Sequence, residues 1–233
     1  MTNKKEAGVL ENNETLNKSE VFFNKYRKTI LAAIAGIIII IAGCFIYKIY
    51  YSGPREDKAS TALAKGQNLF DMEQFDKALN GDGAGYEGFV KIADNYSGTN
   101  AGNLANLYAG LSYAKLNKWN EAIKYLEAFS PADDAMISPA AVAALGNAYA
   151  QTGNVDKAIS KLKKAADMAN SEAQDKVNNS IAPTFLIQAG ELLESQGKKA
   201  EALKLYQEIK AKYVNSNLVQ SLEIDKYIER VSE

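Results

Sequence analysis

The 233-residue chain has no histidine and a single cysteine, Cys44. Those absences remove much chemistry. No Ser-His-Asp or Cys-His nucleophile system, no imidazole acid or base and no Cys/His zinc site can be assembled. One cysteine cannot close an intramolecular disulfide, so the long C-terminal part must hold together by packing, and at about 180 residues it is large enough to do so. Prolines are few as well: Pro54, Pro131, Pro139 and Pro183 each fall where a helix would start or a loop would sit. Neither charge sign is in excess, with 27 Lys and Arg against 28 Asp and Glu. This argues against nucleic acid, which needs a concentrated basic surface.

What the chain does have is one long uncharged run. From Ile30 to Tyr47 no side chain is charged, and Lys28 and Lys48 are the nearest charges. As a helix this run spans roughly 27 Å, close to the ~30 Å hydrocarbon core of a bilayer. The division expected is a polar tail over 1–29, a membrane helix over 30–51 and a helical domain over 52–233. Lys18, Lys25, Arg27 and Lys28 precede the run, and Lys48, Arg55 and Lys58 follow it. That bias, with six bases against four acids in the tail, predicts a cytoplasmic N-terminus and an exported C-terminal domain. Tyr47, Tyr50 and Tyr51 suit an aromatic belt at the outer interface. A cleavable signal is disfavoured by the acidic tail, with Glu6, Glu11, Glu14 and Glu20. Ile41-Ala42-Gly43-Cys44 has the shape of a bacterial lipoprotein processing site, which keeps acylation of Cys44 as an alternative; against it, apolar residues continue past the cysteine.

After the run, apolar residues recur at three and four, as in Leu104, Leu107 and Leu111, and in Ile159, Leu162 and Ala165. The spacing predicts helices throughout and no strand. Ser138-Pro139 reads as a helix opening with serine as cap. Gly146, Tyr149, Gly153, Ala158 and Leu162 set out an order of small residue, aromatic, turn glycine, alanine and large apolar residue. Gly110, Tyr113, Ala122 and Leu126 repeat it 36 residues earlier, with Asn117 in the place of the turn glycine. Gly190, Leu193, Gly197, Ala202 and Tyr206 repeat it 44 residues later, and Gly66, Leu69, Phe75 and Ala78 form a weaker copy 44 residues before Gly110.

This pattern resembles a tetratricopeptide repeat, and it implies an all-α fold in which paired helices stack as a solenoid. Gly110, Tyr113, Ala122, Gly146, Tyr149, Ala158, Gly190 and Ala202 are the expected packing residues, the small ones allowing close approach. The two 44-residue offsets exceed the ideal of about 34 and predict insertions, at Gly81-Asp82-Gly83-Ala84-Gly85 and around 170–179. Ile224, Tyr227, Ile228 and Val231 read as an amphipathic cap over the last repeat.

Other motifs have plain explanations. The Gly81–Gly85 stretch lacks the Lys-Ser/Thr pair of a phosphate loop and reads as a flexible insertion. Trp119 reads as a packing residue after the inter-helix turn. Asn95 and Asn178 head glycosylation-type triplets, of consequence only in a eukaryote. Glu191 and Glu194, one turn apart, suit a solvated helix face better than a catalytic pair. The first helix of each pair lines the inner wall of such an array. There Gln67, Phe70, Leu111, Lys115, Asn147, Gln151, Glu191 and Glu194 are the candidate protein-binding residues. The mixture suits an extended peptide and lacks the basic cluster of a carboxylate clamp.

The whole layout, with Phe22-Phe23-Asn24-Lys25-Tyr26-Arg27-Lys28 before one apolar span and a degenerate repeat array after it, resembles the ancillary translocon-subunit family of bacterial inner membranes. The resemblance implies a single-pass inner-membrane protein with a periplasmic array. It also implies association with the Sec translocon, periplasmic chaperones or emerging polypeptides. The expectation is a non-catalytic adaptor with no metal or cofactor, held in lipid through 30–51. The alternative is a lipoprotein scaffold for outer-membrane assembly acylated at Cys44.

Overall fold

A computed structural model of the chain describes residues 3–232, with side chains from Val21 to Ser232. The side chains of Glu6, Glu11, Glu14, Lys18 and Glu20, which contribute to the charge bias of the tail, lie outside the described residues. The chain divides into two compact units, 1–54 and 55–233. Every regular element among the described residues is helical.

The first unit is a helix, α1 (Asn3–Tyr47), followed by a π-helical turn over Lys48–Ser52. Its apolar window is wholly unburied, and the helix is long and apolar enough to cross a membrane. Exposed side chains include Ile37, Ile38, Ile39, Ile40 and Ile41, an apolar surface of a size that water-exposed domains rarely carry.

The second unit is built from α2 (Gly53–Asp71), α3 (Phe75–Asn80), α4 (Phe89–Asn95), α5 (Asn100–Lys115), α6 (Trp119–Ala128), α7 (Ile137–Gln151) and α8 (Val155–Ser171). It continues with α9 (Ala182–Ser195), α10 (Lys199–Lys212), α11 (Asn217–Gln220) and α12 (Glu223–Ser232). Consecutive helices pack on one another: α5 on α6, α6 on α7, α7 on α8, α8 on α9, α9 on α10 and α10 on α12. The result is a tetratricopeptide-like stack of helical hairpins.

Four turns set the register of the stack. Glu73, Asn117, Gly153 and Gly197 each adopt positive φ, between 57° and 77°. In each turn the next amide donates 2.9 Å to the carbonyl five residues back: Gln74 to Leu69, Lys118 to Tyr113, Asn154 to Tyr149 and Lys198 to Leu193. This closure satisfies carbonyls left open at a helix C-terminus and reverses the chain. Asn117 therefore does the work expected of a turn glycine, since asparagine tolerates the left-handed region.

Seven residues before each turn residue lies a glycine, and five after it an alanine with no exposed surface: Ala78, Ala122, Ala158 and Ala202. A Cβ on Gly110 would lie 2.6 Å from Leu126, on Gly146 3.0 Å from Leu162, and on Gly190 2.2 Å from the Tyr206 ring. The paired backbones approach closely because nothing stands between them there.

The first hairpin departs from this plan. Its second helix breaks into α3 and α4 around the glycine-rich loop, and the side chains facing Gly66 come from Tyr86 and Phe89. The loop is hydrogen-bonded rather than slack: Asp82 Oδ1 accepts from the Ala84 and Tyr86 amides at 2.8 and 3.0 Å. Those bonds hold its carboxyl below the usual range. The second insertion is likewise tied, by buried Asn170, which donates 2.8 Å to the Tyr213 hydroxyl and accepts from the Asn178 amide at 2.9 Å. Asn178 itself is buried and holds the turn before α9, accepting from the Ser180 and Ile181 amides.

Helix α7 corrects one expectation. Ser138 is not its cap; the carboxylate of Asp134 accepts from the Met136, Ile137 and Ser138 amides at 2.9, 2.5 and 3.1 Å. A charged acceptor serves several amides at once, and Ser138 turns inward, buried, to accept from the Ala132 amide at 2.8 Å.

Candidate protein-binding site

The first helices of three successive hairpins, α2, α5 and α7, enclose a groove of about 510 Å³. Its walls are Gln67, Phe70 and Asp71 from α2, Leu104, Leu107, Tyr108 and Leu111 from α5, and Met136, Ile137, Ala140 and Ala141 from the start of α7. The α2 wall is fixed against α5 by Gln67, whose Nε2 donates 3.0 Å to the Tyr108 hydroxyl. Phe70 meets the Phe75 and Tyr108 rings edge-on, each at 5.3 Å between centroids. Tyr108 stacks on buried Phe89, again at 5.3 Å. At the α2 N-terminus, Glu56 accepts from the Asn100 and Ala101 amides at 2.7 and 2.9 Å, so the helix is tied to α5 at both ends.

Three of the eight candidate residues, Gln67, Phe70 and Leu111, line this groove. Lys115, Asn147, Gln151 and Glu191 are exposed on α5, α7 and α9, outside it. Glu194 is engaged elsewhere. Arg230 of α12 donates to both its carboxylate oxygens, at 2.9 and 2.6 Å, and the Tyr206 hydroxyl donates at 2.5 Å. Burial pushes the Glu194 carboxyl up, but these hydrogen bonds and the guanidinium charge outweigh it and hold the group below the usual range. Tyr206 moves the opposite way, raised by burial and by its bond to Glu194.

The packing residues sit at the hairpin contacts. Tyr113 stacks on Tyr125 at 5.4 Å, and the Tyr149 hydroxyl donates to Glu127, which pushes that phenol up to about 12. Trp119 lies against the cluster formed by Leu107, Ala122 and Leu145.

Tyr108, Leu104, Leu107, Met136, Ile137 and Ala140 line the groove without having been candidates. The periodicity of Leu104 and Leu107 marks them as apolar helix positions, and the period alone does not separate a core face from a groove face. Met136, the residue before α7, and Ile137, its first, are 51% and 58% exposed, and no repeat position announces them.

The sequence model of the tetratricopeptide repeat-like domain family matches residues 20–225. Among solved structures, the chain is similar to the C-terminal part of a TPR repeat-containing protein from Cytophaga hutchinsonii. The two are 13% identical over 72% of this chain and 77% of that one, with a TM-score of 0.36. No curated protein matches the chain.

Proposed function

Because the chain belongs to the tetratricopeptide repeat-like domain family, we propose that it is a membrane-tethered scaffold that binds other proteins on the first-helix wall of its array and catalyses no reaction. The observation that carries this reading is the groove itself: a preformed, largely apolar concavity with a few polar groups, walled by side chains locked against one another. The tether is the uncharged run Ile30–Tyr47, whose side chains find no apolar cover within the fold. Orientation with the array outside the cytoplasm follows the excess of bases before the run. The resemblance to ancillary translocon subunits narrows the setting to the periplasmic side of the Sec translocon, where translocated polypeptides and their chaperones are the partners. Candidate contacts extend along the wall from Gln67, Phe70 and Leu111 to Lys115, Asn147, Gln151 and Glu191.

The test is crosslinking in native membranes followed by solubilisation and recovery of the full chain. A control carrying residues 1–54 fused to an unrelated domain is expected to recover no envelope or secretion component, and the full chain to recover them. Equal recovery ends the scaffold reading. Acylation of Cys44, with the array then serving outer-membrane assembly, is separated by mass: a mature chain beginning at a lipidated Cys44 replaces the transmembrane tether.

A further inference from the structure

The position six residues before each left-handed turn residue carries Gln67, Leu111, Asn147 and Glu191 in successive hairpins. Gln67 and Leu111 line the groove, whereas Asn147 and Glu191 lie outside it. Its polar groups are few and specific. Because Gln67 gives one of its two amide N–H donors to the Tyr108 hydroxyl, the Gln67 carbonyl oxygen remains as an acceptor and the Tyr108 hydroxyl proton as a donor. That pair is the complement of one peptide unit. Asp71 is the charged side chain of the lining, exposed, and among the described residues no cation pairs with it. A site whose one fixed charge is negative favours a cationic ligand group and disfavours an acidic one.

Resting on the scaffold reading and narrowing it, we infer that the groove between α2, α5 and α7 holds an apolar polypeptide segment bearing a basic side chain. Apolar anchors sit over Leu107, Leu111 and Ile137, and the base pairs with Asp71. Exposed Met136, unbranched and polarizable, adapts the far wall to anchors of different shape. Crossing three first helices at roughly 8–10 Å per step covers about 20 Å, the reach of about six extended residues.

The experiment uses the full chain in nanodiscs and fluorescent synthetic peptides of twelve residues, read by anisotropy. Three peptides share one leucine- and alanine-rich core and differ at one position, lysine, glutamate or glutamine; a fourth replaces the leucines by serine. The lysine peptide is expected to bind about two- to five-fold tighter than the glutamate peptide, the scale of one exposed ion pair. Asp71→Lys reverses that order, and Asp71 is exposed, so the fold survives the change. Leu111→Asp weakens the lysine peptide on the order of tenfold, whereas Glu208→Lys on the exposed face of α10 does not. Equal binding of the lysine and glutamate peptides, or undiminished binding of the serine peptide, overturns the inference.

A photocrosslinking residue placed at 111 or at 191 in native membranes separates this failure from that of the scaffold reading. Capture of other polypeptides at 191 and none at 111 overturns the groove assignment and leaves the scaffold standing. Capture at neither position overturns the groove assignment, and the recovery experiment above decides the scaffold reading. Capture of a second copy of this chain at 111 overturns the inference in favour of self-association.

Discussion

At the position three residues before the left-handed turn residue, the first hairpin carries Phe70 and the last carries Glu194. Phe70 helps wall a groove that nothing in the array fills, while Glu194 is claimed by Arg230 of the closing helix. The same framework position therefore serves binding at one end and closure at the other. The end of a stack must bury an apolar face that no further repeat will cover. Here α12 does so with Ile224 and Val231, both buried, and adds Tyr227 beside Tyr206 at 5.4 Å and Arg230 over the Tyr227 ring at 4.8 Å. At the opening end, Phe89 of α4 and Tyr86 of the loop before it fill the space against Gly66, which leaves the groove side of α2 and α5 uncovered. The array closes with charge and opens with aromatics.

The largest test of that contrast is Phe89→Ala. Phe89 has no exposed surface and supports both Tyr108 and the contact at Gly66, so its loss is expected to cost about 3–5 kcal/mol. Thermal denaturation of the full chain in detergent measures it. Peptide binding in the groove is expected to fall with it, whereas an equal core truncation at Ile209 near the closing end destabilises and spares the groove.

Next in size are the close-approach glycines. Gly190→Ala places a Cβ 2.2 Å from a Tyr206 ring held by burial and by Glu194, whereas Gly146→Ala meets its nearest neighbour at 3.0 Å. The first is expected to cost roughly 2–3 kcal/mol and the second under about 1 kcal/mol, by chemical denaturation. A reversed order would show that the closing hairpin is the looser of the two.

Acid should loosen the closing end first. The Glu194 carboxyl is depressed in the folded state, so its contribution is present above the ordinary glutamate value and lost as pH falls through the folded one. Arg230 stays cationic in that window, and Tyr206 and Tyr227 stay neutral, while Glu191 and Glu223 are the other carboxyls that act on Tyr227. Hydrogen exchange over 223–232 is expected to accelerate below about pH 4.5 before exchange in α5 does. Glu194→Gln is expected to cost about 1–2 kcal/mol at neutral pH and to flatten that dependence.

The smallest effect lies in the turns. Glu73 holds a conformation that Gly153 and Gly197 adopt without strain, so Glu73→Gly is expected to stabilise the opening hairpin by about 0.5–1 kcal/mol. Gly153→Ala is expected to cost about 1 kcal/mol. Both are read from melting midpoints of the full chain.

The repeat was legible because its constraints are local. A turn residue, a glycine seven before it and an alanine five after it recur at one spacing in all four hairpins, even where Asn117 and Glu73 replace the glycine of the turn. The groove was only partly legible. Gln67, Phe70 and Leu111 follow from helix phase, but Met136 and Ile137 reach it at the very start of α7, whose first amides Asp134 holds. Glu194 looked like a solvent-facing residue because its partner, Arg230, is 36 residues away and in no repeat position.

Composition and period alone therefore determined the class of molecule: without histidine or paired cysteines, with one uncharged run and a recurring helical hairpin, the chain is all-helical and built on repeats. Those properties depend on residue type and on neighbours within a few turns. Which stretch of wall stays open and which is closed was decided by contacts between elements far apart in the chain, Gln67 with Tyr108 and Glu194 with Arg230. No local pattern encodes such pairs, since each partner is indifferent to the other until the stack has formed.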